Sequence, residues 1–249
     1  LREQGWTVTG VKRAGDSESL SFDDEAAVRA SIGRASHILS SVPPDREGAD
    51  PVLTRYGADI AASNARWIGY LSSSGVYGDV GGAWVDESAP VGTGRRSARA
   101  EADLGWQALR SDMCIFRLPG IYGPGRSALD RVREGQAHRI DLPGQIFSRI
   151  HVEDIVSAIL ASFEGPTGVY NIADDAPCSQ NDVIDYTCRL LGLMPPPLLS
   201  LQEANLSTQA RAFYAENRRV ANGKAKRLLD WRPLYRDYKE GLVTLLAET

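Results

Sequence analysis

Two apolar runs, "WIGYLSS" at 67–73 and "MCIFRL" at 113–118, lack the in-and-out alternation of a half-solvated strand. Strands of that kind are buried on both faces, which calls for a parallel sheet covered by helices on each side. The rest of the chain supplies the partners. Strands are expected at 6–11, in "HILSSV" at 37–42 and in "GVYNI" at 168–172. Helices are expected from the Asp23-Asp24 pair, over 51–63 with Val52, Leu53, Ile60 and Ala61, and along the stripe Ala98, Ala102, Trp106 and Leu109. A further helix carries Ile155, Val156, Ile159, Leu160 and Phe163 on one face, with Glu153 and Asp154 in the first turn, where the helix dipole favours acids. Another opens at Ser179–Gln180–Asn181–Asp182, a capping-box spacing, and stops at Gly192. The proline run 195–197 breaks this alternation, and helices near 222–229 and 238–246 form a small C-terminal lobe. The fold class is therefore α/β, a doubly wound parallel sheet with a small added lobe.

Composition narrows the function. With 43% apolar and 24% charged residues the chain reads as globular, and a net charge of −4 gives no electrostatic case for a nucleic-acid partner. No apolar run approaches the roughly 20 residues of a membrane span, so a cytoplasmic location with no membrane partner is expected. Cys114, Cys178 and Cys188 are too scattered for a disulfide framework and read as small buried residues; His37, His138 and His151 have no metal-binding spacing, and no catalytic metal is expected.

Open sheets of this kind bind ligands at the carboxyl ends of their strands. The segments found there, "YLSSSGVYGD" (70–79), "FRLPGIYGPGR" (116–126), "SRIHVEDIVSAI" (148–159), "GVYNIADDAPCSQNDVI" (168–184) and "NRRVANGKAKRLLDWRP" (217–233), occur in this order in a known family. The chain resembles the NAD-dependent epimerase/dehydratase branch of the short-chain dehydrogenase/reductase superfamily, and most closely its atypical subgroup with an eroded active site. The resemblance implies a Rossmann-like dinucleotide-binding domain over 1–165, and a region over 166–249 that completes the sheet and adds a substrate lobe. It also implies a small-molecule substrate and is compatible with a homodimer. The family's first strand and glycine-rich turn have no counterpart here, since Gly5 and Gly10 stand alone. They are expected upstream of Leu1.

The end of the second family strand selects the dinucleotide: an acid there bonds the NAD ribose, a cation takes the NADP 2′-phosphate. This strand ends Lys12-Arg13, with Asp16 the nearest acid, so NADP is expected in preference to NAD. Two solvated surface cations are the competing reading. By resemblance, Ser41, Val42 and Pro43 pass the ribose and phosphates, Leu71 and Ser72 contact the cofactor from the central strand, and Pro119, Gly120 and Ile121 lie beside the nicotinamide.

For catalysis the family uses a Ser before "VYG" and a YxxxK pair on the next helix. Ser73 matches the serine, with capping of local backbone as the competing reading, and Ser74 and Gly75 follow it at the substrate. The helix segment "TGRRSARAEAD" at 93–103 has no tyrosine in either register: Arg95 and Arg99 fall on the Tyr and Lys, or Thr93 and Ser97 do. Arginine has no acceptor and cannot replace the tyrosine as an acid/base. Arg95 and Arg99 either bind an anionic group, or Arg99 pairs with Asp103 on a solvated face. Asp50 stands where the family has an active-site Asn; it serves as a base or water holder, or as the N-cap before Pro51. His151 and Arg218 are substrate-contact candidates, with structural roles as the alternative. The expected function is an NADP-dependent oxidoreductase or epimerase/dehydratase-like enzyme on a small polar, sugar-like or anionic substrate, with a degenerate site. The alternative is a non-catalytic NADP(H)-binding sensor.

Overall fold

A computed structural model describes residues 1–45, 47–92 and 97–248, and not the side chain of Gln209. A 3-10 turn at Arg2–Gln4 ends at Gly5, whose left-handed φ of 83° suits glycine. Then come β1 (Gly10–Lys12), β2 (Ser19–Ser21), α1 (Glu25–Arg34), β3 (His37–Ser40), α2 (Pro51–Ala61), β4 (Trp67–Ser73), β5 (Trp84–Val85), α3 (Ser97–Leu109), β6 (Met113–Leu118) and β7 (Gly120–Tyr122). The second half contributes α4 (Ala128–Arg133), β8 (Arg139–Ile140), β9 (Arg149–His151), α5 (Val152–Ala161), β10 (Gly168–Asn171) and α6 (Gln180–Leu191). The C-terminal part adds β11 (Leu198–Leu199), α7 (Thr208–Phe213), β12 (Arg219–Val220), α8 (Gly223–Leu228) and α9 (Tyr238–Ala247).

The main sheet has four parallel strands in the order β10-β6-β4-β3, and β1 and β2 form a separate parallel pair. As their lack of alternation requires, β4 and β6 are buried almost throughout. One face carries Tyr56, Ile60, Ile68, Tyr70, Ala102, Trp106 and Ile115 from α2, α3 and the strands. The other buries Trp67, Phe116, Ile155, Ala158, Tyr170, Leu229 and Trp231. Helices thus cover both faces, and the α/β doubly wound reading holds.

Caps fall where the sequence puts them. Asp24 caps α1, Ser179 and Asp182 close the capping box of α6, and Gly192 ends it in the left-handed region. Two expectations are corrected. The first strand is confined to Gly10–Lys12, because Trp6 packs on the rings of His37 and Phe163, at 4.7 and 5.7 Å, rather than entering a ladder. On α5, Val156 and Leu160 are exposed; the buried face is Ile155 and Ala158, with Ile159 and Phe163 packed against the core. Glu153 and Asp154 occupy the first turn of α5 as expected; Asp154 is in addition fully buried, and its carboxylate accepts from the Leu234 and Tyr235 amides at 2.5 and 3.4 Å. Among the described residues no helix is long and apolar enough to cross a membrane.

Candidate functional site

The parallel strands bring their carboxyl ends to one rim. β3 leads into Ser41, Val42 and Pro43, β4 ends at Leu71, Ser72 and Ser73, and β6 runs into Pro119 and then Gly120 and Ile121 of β7. Ser73 is half-buried, and its Oγ accepts the Gly75 amide at 3.1 Å, capping the 3-10 turn that carries Ser74, Gly75, Val76 and Tyr77. The local capping expected as one reading of this serine is therefore present, and the hydroxyl proton is left to donate.

Beneath Ser73 lies a buried polar network. Ser72 Oγ donates to Asp103 Oδ2 at 2.5 Å, and Arg117 clamps the same carboxylate through Nε and Nη2 at 3.1 and 2.7 Å. Gln107 Nε2 adds a bond to Asp103 Oδ1 at 2.6 Å. Arg117 Nη1 then donates to Tyr77 Oη at 3.1 Å, and Tyr77 donates to Asn171 Oδ1 at 2.7 Å. Burial opposes the Arg117 charge, but its bonds to Asp103 outweigh that and hold the guanidinium protonated. The surface pairing of Arg99 with Asp103 is thus corrected: Asp103 is wholly buried and belongs to Arg117, from the neighbouring strand.

Asp50 resolves toward its capping role. Oδ1 accepts from the Val52 and Leu53 amides at 2.9 and 3.0 Å, and Oδ2 from Trp106 Nε1 at 2.8 Å. Both carboxylate oxygens are engaged. The Tyr70 ring stacks on Trp106 with centroids 5.0 Å apart, and burial, with the Asp50 charge, pushes its phenol up to about 12 against the opposing pull of nearby Arg99. Arg99, in the first turn of α3, thus lies near the Tyr70 phenol. Arg95 and Thr93 lie outside the described residues.

The two substrate-contact candidates are both in structural use. His151 is buried; its Nδ1 accepts from the Glu153 amide, capping α5, and its ring packs on Tyr122 and Tyr235. Burial lowers its pKa. Arg218 donates to the Gly78 carbonyl at 2.7 Å and to Glu216 at 2.9 Å. The cations after β1 divide: Lys12 pairs with Asp16 at 2.6 Å, whereas the exposed Arg13 side chain has no such partner among the described residues. The sequence did not reveal the Asp103–Arg117–Tyr77–Asn171 network, although Arg117 sits inside the motif at 116–126.

No family model matches the chain. A conserved protein of unknown function from Silicibacter pomeroyi superposes with a TM-score of 0.87 at 42% identity, over 99% of this chain and 92% of that one. The chain belongs to the same family as that protein. A human epimerase family protein, SDR39U1, solved with NADPH, superposes with a TM-score of 0.79 at 16% identity, over 100% of this chain and 94% of that one. In sequence, a 3-diazoavenalumate denitrifying reductase from Streptomyces is 28% identical over 178 residues, covering 64% of this chain and 58% of the reductase. The fold is thus shared with NADPH-bound SDR39U1, an epimerase family protein.

Proposed function

We propose that the protein binds NADP(H) along the rim of its sheet and transfers a hydride to or from a small polar substrate, sugar-like or anionic. The observation that carries this reading is the convergence of the parallel strand ends, with Ser73 closing the central strand. The residues present fit such a cofactor at both ends. Among the described residues, Ser40 Oγ, at the carboxyl end of β3, is buried without a hydrogen-bond partner, and the exposed Arg13 has no acidic partner, which leaves it free for the 2′-phosphate. Ser41, Val42 and Pro43 would pass the ribose and phosphates, and Pro119, Gly120 and Ile121 would border the nicotinamide. The cofactor supplies the hydride at its nicotinamide C4.

The chain's own part is binding and orientation. Ser73 holds a substrate oxygen through the hydroxyl proton it has left to donate. Asp50 supports α2 and Trp106, since Oδ1 holds the Val52 and Leu53 amides and Oδ2 holds the indole N–H. Without a tyrosine on α3, the proton that accompanies hydride transfer to a carbonyl comes from water, at a cost of roughly 10²- to 10⁴-fold in rate. An acceptor that needs no proton during the hydride step escapes that cost. The relative named as a denitrifying reductase supports a reductase role for such a site. A non-catalytic NADP(H) sensor is the second reading, favoured by the missing tyrosine and by the Ser73 cap.

The test adds NADPH or NADP⁺ to the full-length protein with a panel of sugar nucleotides, hydroxy acids and conjugated acids, following nicotinamide absorbance. Turnover that Ser73→Ala reduces supports the enzyme. Tight binding with no turnover on any acceptor supports the sensor, and absence of binding overturns both.

A further inference from the structure

We propose that the protein binds a planar aromatic carboxylate beside the segments at 144–149 and 214–218, with the ring against Phe147 and Tyr214 and the acid group on Arg131 and the Tyr214 hydroxyl. This rests on the NADP(H) reading above and narrows its substrate to one chemical class.

The two segments are laced to each other and to the rim of the sheet. Ser148, next to Phe147, accepts the Gly120 amide on its carbonyl at 3.2 Å and the Val220 amide on its Oγ at 2.9 Å. Asn217, in the segment that follows Tyr214, accepts the Ile146 amide on Oδ1 at 3.1 Å and donates from Nδ2 to the Gly144 carbonyl at 2.9 Å. Asn217 also reaches the loop that leaves the Ser73 turn: its amide donates to Asp79 Oδ1 at 2.8 Å, and its carbonyl accepts the Val80 and Gly82 amides at 3.2 and 2.9 Å. Phe147 and Tyr214 are thus carried by backbone that is tied both to Gly120 and to the Ser73 loop. Both side chains are half-buried, and their rings meet edge to face with centroids 5.6 Å apart. Such a pair presents a ring face and a ring edge, the two surfaces on which a third ring packs.

Charge decides what kind of ring compound fits. Arg149 lies 5.9 Å from the Phe147 ring centroid, but its Nη1 donates to the Phe147 and Cys178 carbonyls at 3.0 and 3.2 Å, and its Nη2 to Gln180 Oε1 at 3.0 Å. Arg218 holds the Gly78 carbonyl and Glu216, and Arg219 holds the Gly82 carbonyl. These three arginines are spent on the protein, so they offer no pair of cations to a diphosphate. Arg131, on α4, is exposed and has no acidic partner among the described residues. Burial raises the Tyr214 phenol, and the charges of Arg131 and then Arg149 pull against it. The phenol stays protonated at neutral pH, and its hydroxyl has no hydrogen-bond partner among the described residues. One guanidinium and one hydroxyl donor match a single carboxylate, and the ring pair beside them selects an aromatic one.

The experiment adds NADPH to the full-length protein and then titrates it by calorimetry with trans-cinnamate, its methyl ester, hexanoate and UDP-glucose, which reads binding without requiring turnover. Cinnamate should bind best, and removing its charge (the ester) or its ring (hexanoate) should each weaken binding about tenfold. Arg131→Gln should weaken cinnamate about tenfold and leave the ester within about twofold. Tyr214→Phe keeps the ring pair and should weaken cinnamate about fivefold with the ester unchanged. Phe147→Leu should weaken acid and ester alike, by about two- to tenfold. Failure of cinnamate to bind, tighter binding of UDP-glucose than of cinnamate, or an Arg131→Gln variant that treats acid and ester alike overturns the aromatic-acid assignment while the cofactor site stands. If NADPH itself does not bind, the NADP(H) reading falls, and this inference with it.

Discussion

Two acid–base pairs of the same chemistry sit at opposite ends of the burial scale. Asp103–Arg117 is sealed beneath the end of β4, with side chains 0% and 3% exposed, and Lys12–Asp16 stands in solvent after β1. The buried pair is bidentate and shares its charges with Ser72, Gln107 and Tyr77, so it ties β4, α3, β6 and the 3-10 turn together below Ser73. The exposed pair ties only five residues of one turn. In the interior, desolvation makes a pair costly to break and therefore structural; in water the same pair is nearly neutral in stability.

The sharpest way to break that contrast is Asp103→Asn, which leaves the Arg117 charge buried without its counter-ion. It should cost about 3–5 kcal/mol in urea unfolding. A loss below about 1 kcal/mol would place this pair in the same class as the exposed one.

Acids lacking any cation in bonding contact extend the comparison. Burial pushes the Asp174 carboxyl up to about 7 and that of Asp154 up to about 6, from an ordinary 3.8. Because the folded values are raised, their contribution to stability is complete below 3.8 and is lost as pH rises to about 7. Melting temperature should therefore fall between about pH 4 and pH 7, with a slope of about 1.4 kcal/mol per pH unit for each group still titrating. Asp174→Asn should flatten much of it, and a melting temperature that climbs over this range contradicts the assignment.

Trp106→Phe probes a smaller effect. It keeps the stack on Tyr70 but removes the donor to Asp50 Oδ2, for an expected loss of about 1–3 kcal/mol. If Asp50 is scaffold, activity should follow the fraction folded; a change in the pH profile of turnover would instead make it a participant. At the lower end, Lys12→Met should alter stability by less than about 0.5 kcal/mol by thermal melt, and a larger loss would make the exposed pair structural after all.

What was readable in the sequence was what neighbouring residues decide. The uniform apolarity of 67–73 and 113–118 led to the parallel sheet, Asp24 and Ser179 marked helix starts, and Gly192 marked a stop. What was not readable depends on partners distant in the chain. Asp103 has a cation four residues before it on the same helix, yet it pairs with Arg117, which a separate strand presents inside the fold. Asp154 has the position of a dipole-stabilising acid, but the chain returns at 234–235 to bury it. Val156 and Leu160 share helical spacing with the core stripe of α5 and still face outward. At the candidate site, the missing tyrosine and the paired cations at 12–13 were plain from the residues; that Asp16 claims one of those cations required the geometry of the turn.

The most direct test of the central claim is equilibrium binding of NADPH and NADH to the full-length protein, followed by nicotinamide fluorescence, in wild type and in Arg13→Ala. NADPH should bind more tightly than NADH, and Arg13→Ala should weaken NADPH about 10- to 100-fold while leaving NADH within about twofold. Equal affinity for the two in wild type, or an equal loss of both in the variant, would contradict the account.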